Sequence, residues 1–504
     1  MLHRVSAPSV YSVVVMNNPI PHFDLQAAAK QAMLERGFEP EFPPAIQQQL
    51  AELAVHPPAV APSAGVRDLR NLLWSSIDND TSRDLDQIEV VERLTTGEIK
   101  VLVGIADVDA FAPKGSPIDQ HAAKETTTVY TGVRSFSMIP EQLSTGASSL
   151  LPGADKLSIV IEFVVAADGS VKSGDVYPAV VRNQAQLTYN AVGAWLEGKG
   201  SAPENVASSA DLQSQLRLQD EAAQLLKNEL FRRGALNLET IEAHPIMVQG
   251  RVVGMAAQEK NHATELIEDF MIAANGVVAR MLQAKNVSSI RRIVKTPKRW
   301  DRIVELAAQH GEKLPPEPDS KALNEVLLRR KVADPDHFAD VSLAVIKLLG
   351  PGEYVLERPG EPEPGHFGLA VQDYTHSTAP NRRFADLVTQ RLIKAVLAGQ
   401  PAPYSDTELA AIAANCTTKE DEARKVEREM TKRITAVAMA GRIGDTFDAL
   451  VTGVTASGTF IRVVKPPIEG MLVQGAQGLD VGDRLRAKLV RTDVQRGYID
   501  FARV

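Results

Sequence analysis

The chain reads as an α+β protein, with a mixed sheet surrounded by helices, a small helical module ahead of it and a β-barrel behind it. Three observations predict this architecture. β-rich runs separated by glycine-marked turns follow residue 66. Helical patterns dominate from Leu212 onward, and residues 445–504 return to short strands and glycine turns. The length of 504 residues fits about two to four domains. A hydrophobic share of 44% is ordinary for a globular protein with real cores.

Residues 1–55 hold one or two short helices. The run from His22 to Gly37 opens near an Asp that can cap and closes on a glycine that can terminate. Pro43 to Leu53 reads as a second helix, and together they suggest a weak helix-turn-helix-like pattern. Residues 56–65 are rich in Pro and Ala and read as a linker. The main domain spans residues 66–441. Its first part contains the strand-like runs Ile99–Ala106 and Leu157–Ala166, with a turn at Ala167–Ser170. Its second part contains the helical runs Thr264–Ala284, Leu387–Leu397 and Asp406–Gly441. Residues 445–504 alternate strands and turns as a small barrel would.

No stretch of about eighteen or more apolar residues exists, so a membrane span is not expected. The apolar patch Tyr11–Met16 lacks a signal-peptide layout. The lone Cys416 rules out an internal disulfide framework and a cysteine-based zinc site, and it reads as a buried structural thiol. A cytoplasmic location is the default. The net charge of −8 argues mildly against nucleic-acid binding as a bulk property, but a local groove can still be basic. Residues 280–302 carry Arg280, Lys285, Arg291, Arg292, Lys295, Lys298, Arg299 and Arg302 against Asp301 alone. A solvated helix face is the usual meaning of such a cluster, with phosphate contact the lesser alternative.

The chemistry concentrates in two segments. Asp78, Asp84 and Asp86 lie at i, i+6 and i+8 in the run Ser75–Ile88. On a strand, Asp84 and Asp86 would share a face. A turn through Asn79–Ser82 would fold Asp78 back beside them. Oxygen-only ligands suit Mg2+ or Mn2+. An acidic turn without function would carry the same residues. A second segment far downstream, Tyr374–Asp386, joins Arg382 and Arg383 to a proline and small hydroxyl residues. Arginine grips phosphate bidentately and stays charged, so carboxylates that hold a metal and arginine aimed at phosphate fit phosphodiester cleavage.

Together these segments resemble the ribonuclease II (RNB) family of exoribonucleases. The motif Ser-Ile-Asp78, five residues, Asp84-Leu-Asp86-Gln87 is similar to the family's metal motif. Tyr374–Asp386 is similar to its late arginine motif, and Val103–Phe111, Ser137–Ser144, Phe231–Leu236 and Leu266–Asn275 fit in order between them. The resemblance covers about residues 67–504, and the terminal segment resembles an RNA-binding OB domain of the ribosomal-protein S-one type.

That resemblance implies roles for individual residues. By it, Asp78, Asp84 and Asp86 anchor a Mg2+ site (Mn2+ being possible), with Asp86 the most sensitive catalytic carboxylate. Arg382 contacts the scissile phosphate. Gln87 replaces a fourth aspartate; it can ligate through its carbonyl but brings no charge. Tyr130 stacks on bases at the 3' end, or is a core tyrosine. Tyr189 and Glu268 lie near the terminal nucleotide, and Glu427 lines the RNA path. His376 contacts phosphate or caps a turn. Arg383 stands beside Arg382 as an RNA-binding candidate, although an ion pair with Asp386 is the favoured reading. In the barrel, Phe460, Arg462, Arg484, Arg486 and Lys488 are candidates for RNA, with Phe460 equally readable as core. The family's tandem cold-shock domains have no room ahead of residue 66, so substrate capture there is expected to differ. The implied activity is processive 3'-to-5' hydrolysis of single-stranded RNA to nucleoside 5'-monophosphates. The alternative is an RNA-binding protein with a reduced or inactive nuclease site. No obligate protein partner is implied.

Overall fold

The computed structural model describes residues 23–239, 242–248, 251–258, 260–335, 337–361 and 365–504. The apolar patch Tyr11–Met16 lies outside them.

Helix α1 (Leu25–Glu35) is capped by Asp24, whose carboxylate accepts from the Ala27 N–H at 2.9 Å. Gly37 follows at φ +75, a left-handed turn that glycine makes without strain. Helix α2 (Pro44–Val55) places a proline at its first position, where no N–H is needed.

The central sheet is built from β1 (Arg67–Asp68), β2 (Ser75–Asp78), β3 (Gln87–Arg93), β4 (Ile99–Ala106), β7 (Asp155–Val165), β8 (Val171–Arg182) and β9 (Ala185–Thr188). Between β4 and β7 come α3 (Pro117–Glu125) and the short pair β5 (Val129–Tyr130) and β6 (Ser135–Phe136). The strand order is β1-β8-β7-β4-β3-β2-β9; β1 runs parallel to β8 and β2 parallel to β9, and the rest is antiparallel. Continuous apolar runs such as Val101, Val103 and Ile105 are buried because helices cover the sheet.

Helices α4 (Tyr189–Leu196), α5 (Glu204–Ala207) and α6 (Ala210–Arg233) lead to the hairpin β10 (Glu242–Val248) and β11 (Arg251–Gln258), then to α7 (His262–Ala284). Phe163 of β7 meets Phe270 of α7 edge-on at 6.3 Å. Strand β3 pairs with β2 at one position only, Ser75 with Glu89. Beyond it the exposed edge is satisfied by α6: Gln215 accepts from the Val91 N–H at 3.0 Å and donates to the Val91 carbonyl at 2.7 Å.

Next come β12 (Ser289–Ile293), α8 (Trp300–Gln309), α9 (Ser320–Ala333), α10 (Phe338–Leu349), β13 (Glu353–Glu357), α11 (Phe384–Leu397) and the long α12 (Asp406–Ala440). The basic run 280–302 is not one solvated helix face. Arg291 and Arg292 are buried on β12, where Arg291 pairs with Glu357, and Arg292 meets Glu420 at 2.9 Å. A buried guanidinium needs such a partner, so these arginines are taken up inside the fold. Helices α1 and α2 do not form a helix-turn-helix pair either. Helix α1 packs on α12, burying Ala29, Met33, Val426 and Met430 together, whereas α2 packs on α3. Cys416 is buried on α12, and burial pushes its thiol up to about 12.

Strands β14 (Thr446–Thr455), β15 (Gly458–Val463), β16 (Ile468–Gln474), β17 (Arg484–Asp493) and β18 (Tyr498–Arg503) close a barrel in the order β14-β15-β16-β18-β17. Alternation along β17 sends Leu485, Ala487 and Leu489 inward and Arg484, Arg486 and Lys488 outward. Phe460 is 37% exposed and therefore not core. Arg462 is not available to a ligand, because its guanidinium pairs with Asp340 of α10 at 2.8 Å and is largely buried. That pair ties the barrel to the helices.

Candidate active site

The aspartate segment is a loop, not a strand. Residues 79–86 are irregular, and β3 begins only at Gln87. The expected turn forms: the Ser82 N–H donates to the Asn79 carbonyl at 3.1 Å, and the Ser82 hydroxyl donates to Asp78 at 2.8 Å. Leu85 is the buried anchor of the loop, and its N–H donates to the Ser149 hydroxyl at 3.0 Å. Ser149 in turn donates to the Arg83 carbonyl at 2.7 Å. Asp84 and Asp86 flank that anchor, Asp84 half-buried and Asp86 only 1% exposed. Thus Asp84 and Asp86 are placed by contacts distant in sequence, not by strand alternation.

The late motif arrives as a second loop leading into α11. The Thr128 N–H donates to the Arg382 carbonyl at 3.0 Å, and the Phe384 N–H donates to the Thr126 carbonyl at 2.8 Å. Behind it, Asn275 of α7 accepts from both the N–H and the hydroxyl of Ser377 at 2.8 Å. The Asn381 N–H then donates to Asp86 Oδ1 at 2.9 Å. Asp86 Oδ2 has no hydrogen-bond partner among the described residues, and Arg382 Nε stands 3.4 Å from it. Burial pushes the Asp86 carboxyl up to about 7, against the opposing pull of Arg382. Burial also raises Asp78. The Arg382 side chain is 43% exposed, so one face of the guanidinium is open to a ligand while its charge balances Asp86.

Tyr130 is 43% exposed and lies beside the aspartates, its hydroxyl donating to Asp84 at 3.0 Å. Its N–H donates to Glu427 of α12 at 3.1 Å, so Glu427 holds the Tyr130 strand in place. Tyr189 opens α4 directly after β9, whose Thr188 pairs with Asp78. Burial raises its phenol, and the charges of Asp78, Glu89 and Glu268 push the same way while Arg382 opposes them. Glu268 projects from α7 and binds Lys260 at 2.7 Å.

Two candidates are otherwise engaged. Arg383 forms a bidentate pair with buried Asp386 at 2.8 and 2.7 Å, and Asp386 also accepts from the Ala379 N–H at 2.9 Å. Its fork is spent on holding the loop, which corrects the RNA-contact reading in favour of the ion pair. The ring of His376 lies edge-on between Tyr354 and Tyr374, with Nδ1 2.8 Å from the Tyr354 hydroxyl. Burial and neighbouring arginines hold it well below the usual imidazole range, so it is neutral and offers a phosphate no charge. Gln87 is buried on β3.

Sequence reasoning passed over the Asn381 N–H, Asn275, Ser149 and the full burial of Glu89. Asn275 closes one of the ordered motif segments, and that was the available signal for it. The other three become visible only when the loops meet.

The donor set suits a hard divalent ion. Asp86 presents a buried oxygen without a hydrogen bond, and the other two candidate ligands, Asp78 and Asp84, are carboxylates as well. Among the described residues no three acidic, histidine or cysteine side chains converge as a ready cage. Mg2+ commonly keeps several waters and takes its remaining ligands from substrate phosphates. The residues therefore fit an ion shared with a phosphate better than one held by protein alone.

Comparison with known proteins agrees with this architecture. The RNB domain profile matches residues 66–399, and the profile of the RNase II-type exonuclease C-terminal S1 domain matches residues 445–504. Ribonuclease R of Thermotoga maritima is 30% identical over 87% of this chain and 65% of its own length. Ribonuclease R 1 of Lactococcus lactis is 29% identical over 86% of this chain and 56% of its own length. The chain thus spans between about half and two thirds of these relatives. The structure of Mycoplasma genitalium RNase R in complex with ribose-methylated single-stranded RNA superposes with a TM-score of 0.83 at 23% identity, covering 95% of this chain and 78% of that one. With two thirds of its length matched by that one domain profile and the same fold beneath it, the chain belongs to the RNB family.

Proposed function

We propose that this protein is a Mg2+-dependent, processive 3'-to-5' exoribonuclease that hydrolyses single-stranded RNA to nucleoside 5'-monophosphates. In this reading residues 66–441 form the catalytic domain, residues 445–504 help guide RNA, and the protein acts in the cytoplasm. The observation that carries it is the meeting of Asp86 and Arg382. A buried carboxylate oxygen without a hydrogen bond faces a solvent-accessible guanidinium at 3.4 Å, and each is brought there by a separate segment. Support also comes from the ribonuclease relatives and the RNA-bound structural neighbour.

Asp86, Asp84 and Asp78 would hold the ion, which when bound supplies an activated water and offsets phosphate charge. Arg382 positions the scissile phosphate and, being always protonated, stabilises the charge that builds there. The Asn381 N–H fixes Asp86 Oδ1 so that Oδ2 stays directed into the site. Tyr130 offers its exposed ring to a base, and Tyr189 with Glu268 borders the space for the terminal nucleotide. The 2'-hydroxyl is the group by which RNA would be told from DNA.

The test is a time course on 5'-labelled single-stranded RNA, with Mg2+ and with EDTA, resolved at single-nucleotide steps. The expected result is metal-dependent conversion to a short limit fragment with release of 5'-monophosphates. Asp86→Asn should lower hydrolysis by on the order of 10³-fold and leave RNA binding intact. RNA that is bound but uncut at high Mg2+ or Mn2+ would instead establish the reduced-site alternative that Gln87 keeps open.

A further inference from the structure

The aspartate loop and the arginine loop are about three hundred residues apart in sequence, and one short segment grips both. It leaves a π-helical turn, Leu143–Ala147, a rare local shape that recurs at functional sites. Ser149 and Leu150 hold the aspartate loop. The Ser149 hydroxyl bonds to the Leu85 N–H and the Arg83 carbonyl, and the Leu150 N–H donates to the Leu85 carbonyl at 3.0 Å. Ser148, the residue before them, holds the arginine loop: its hydroxyl donates to Asn381 Oδ1 at 2.6 Å. The same hydroxyl lies 2.9 Å from the Leu143 carbonyl, which ties it to the π-helical turn.

Both gripped points adjoin the reacting groups. Leu85 stands between Asp84 and Asp86, and Asn381 directly precedes Arg382. The Asn381 N–H donates to Asp86 Oδ1 at 2.9 Å, so a shift of Asn381 moves the Asp86 contact and the Arg382 backbone together. The asparagine is a poor choice for packing alone. It is 0% exposed, and its side-chain nitrogen Nδ2 has no hydrogen-bond partner among the described residues. An unpaired buried amide group costs stability, and an apolar side chain of the same shape would avoid that cost.

We propose that Ser148 and Asn381 are positioning residues: their hydrogen bond locks the arginine loop to the segment that carries the aspartate loop, and so sets the spacing of Asp86 and Arg382. This rests on the exoribonuclease reading above and adds to it two side chains too buried to touch RNA themselves.

The experiment compares the native chain with the double variant Ser148→Ala/Asn381→Leu, which removes both polar partners and the unpaired amide at once. Its Tm should equal or exceed the native value. On single-stranded RNA its kcat should fall about 10–100-fold through misplacement of the reacting groups. Its KM should stay within about 2-fold of native, because neither side chain binds substrate. Ser148→Ala alone should show the same fall in kcat, since either change breaks the same bond. A double variant with native Tm and native kcat would overturn the proposal and leave the pair a packing feature. Where the double variant does not fold, the kcat of Ser148→Ala decides by the same two outcomes. Amide hydrogen exchange over residues 379–384, measured without RNA or metal, separates the proposal from the activity. If the native chain cuts no RNA, the exoribonuclease reading falls and exchange alone decides: faster exchange at Asn381 in the double variant supports the lock, and native exchange removes it.

Discussion

Tyr130 has two hydrogen bonds into the site and an open ring. Its hydroxyl is tied to Asp84 and its N–H to Glu427, so the ring is fixed at the edge of the aspartates. A core tyrosine would not be 43% exposed. A base stacked on such a ring gains about 1–3 kcal/mol. Tyr130→Ala should therefore let short fragments leave earlier and lengthen the limit product by one or more nucleotides, with little change in rate on long RNA. Tyr130→Phe, which keeps the ring, should retain the native product length. A denaturing gel of the end products checks both, and an unchanged end product in the alanine variant would remove Tyr130 from the RNA path. The same scale shows why residue types alone mislead. Arg382 and Arg383 are adjacent and chemically identical, yet one faces the site and the other is spent on Asp386. Only the direction of each side chain on the loop separates them.

Helix α7 carries the clearest pH-dependent element outside the aspartate loop. Asp269 lies on its buried side, and burial followed by the charge of Glu268 pushes its carboxyl up to about 8. The unfolded value is about 3.9. The folded chain thus holds this proton more tightly, so its contribution to stability is full below pH 4 and is lost as the pH rises through 8. Asp269→Asn should leave stability at pH 4 nearly unchanged and raise it at pH 9 by on the order of 2 kcal/mol. Thermal unfolding across that range reads the difference, and a gain that does not depend on pH would contradict the assignment. Elements were largely legible because caps and periodicity are local. Strand Ile99–Ala106 and the body of α12 follow the pattern of their own residues. The aspartate segment was not, because its shape is decided by Leu85 and Ser149, which are separated in sequence and adjacent only after folding.

At the scale of the whole molecule, the barrel and the helices divide the cationic residues between structure and surface. Arg462 is committed to Asp340, and Arg291 and Arg292 to Glu357 and Glu420. Arg486 and Lys488 remain on the outer face of β17, near enough in sequence to act on one strand of RNA. Arg486→Glu and Lys488→Glu should each weaken RNA binding and reduce the salt slope of log affinity by about 0.7. Arg462→Ala should leave that slope unchanged, since its charge is already paired. Fluorescence anisotropy over a salt series distinguishes the two classes, and equal slopes for all three variants would remove β17 from the RNA path. The net charge of −8 is thus a poor guide, because it counts buried, paired arginines together with open ones.

The sequence by itself determined the α+β class, the closing barrel and the two motifs whose residue types suit the proposed phosphodiester chemistry. These depend on local periodicity, turn chemistry and the ordering of motifs along the chain. Tertiary structure alone decided how the members of those motifs are placed and partnered. It placed the Asn381 N–H on Asp86, turned Arg382 toward Asp86 and Arg383 toward Asp386, and buried Glu89 completely. Each of those outcomes depends on burial and on partners from remote segments, and a carboxylate or a guanidinium acquires its chemistry only from the groups that surround it.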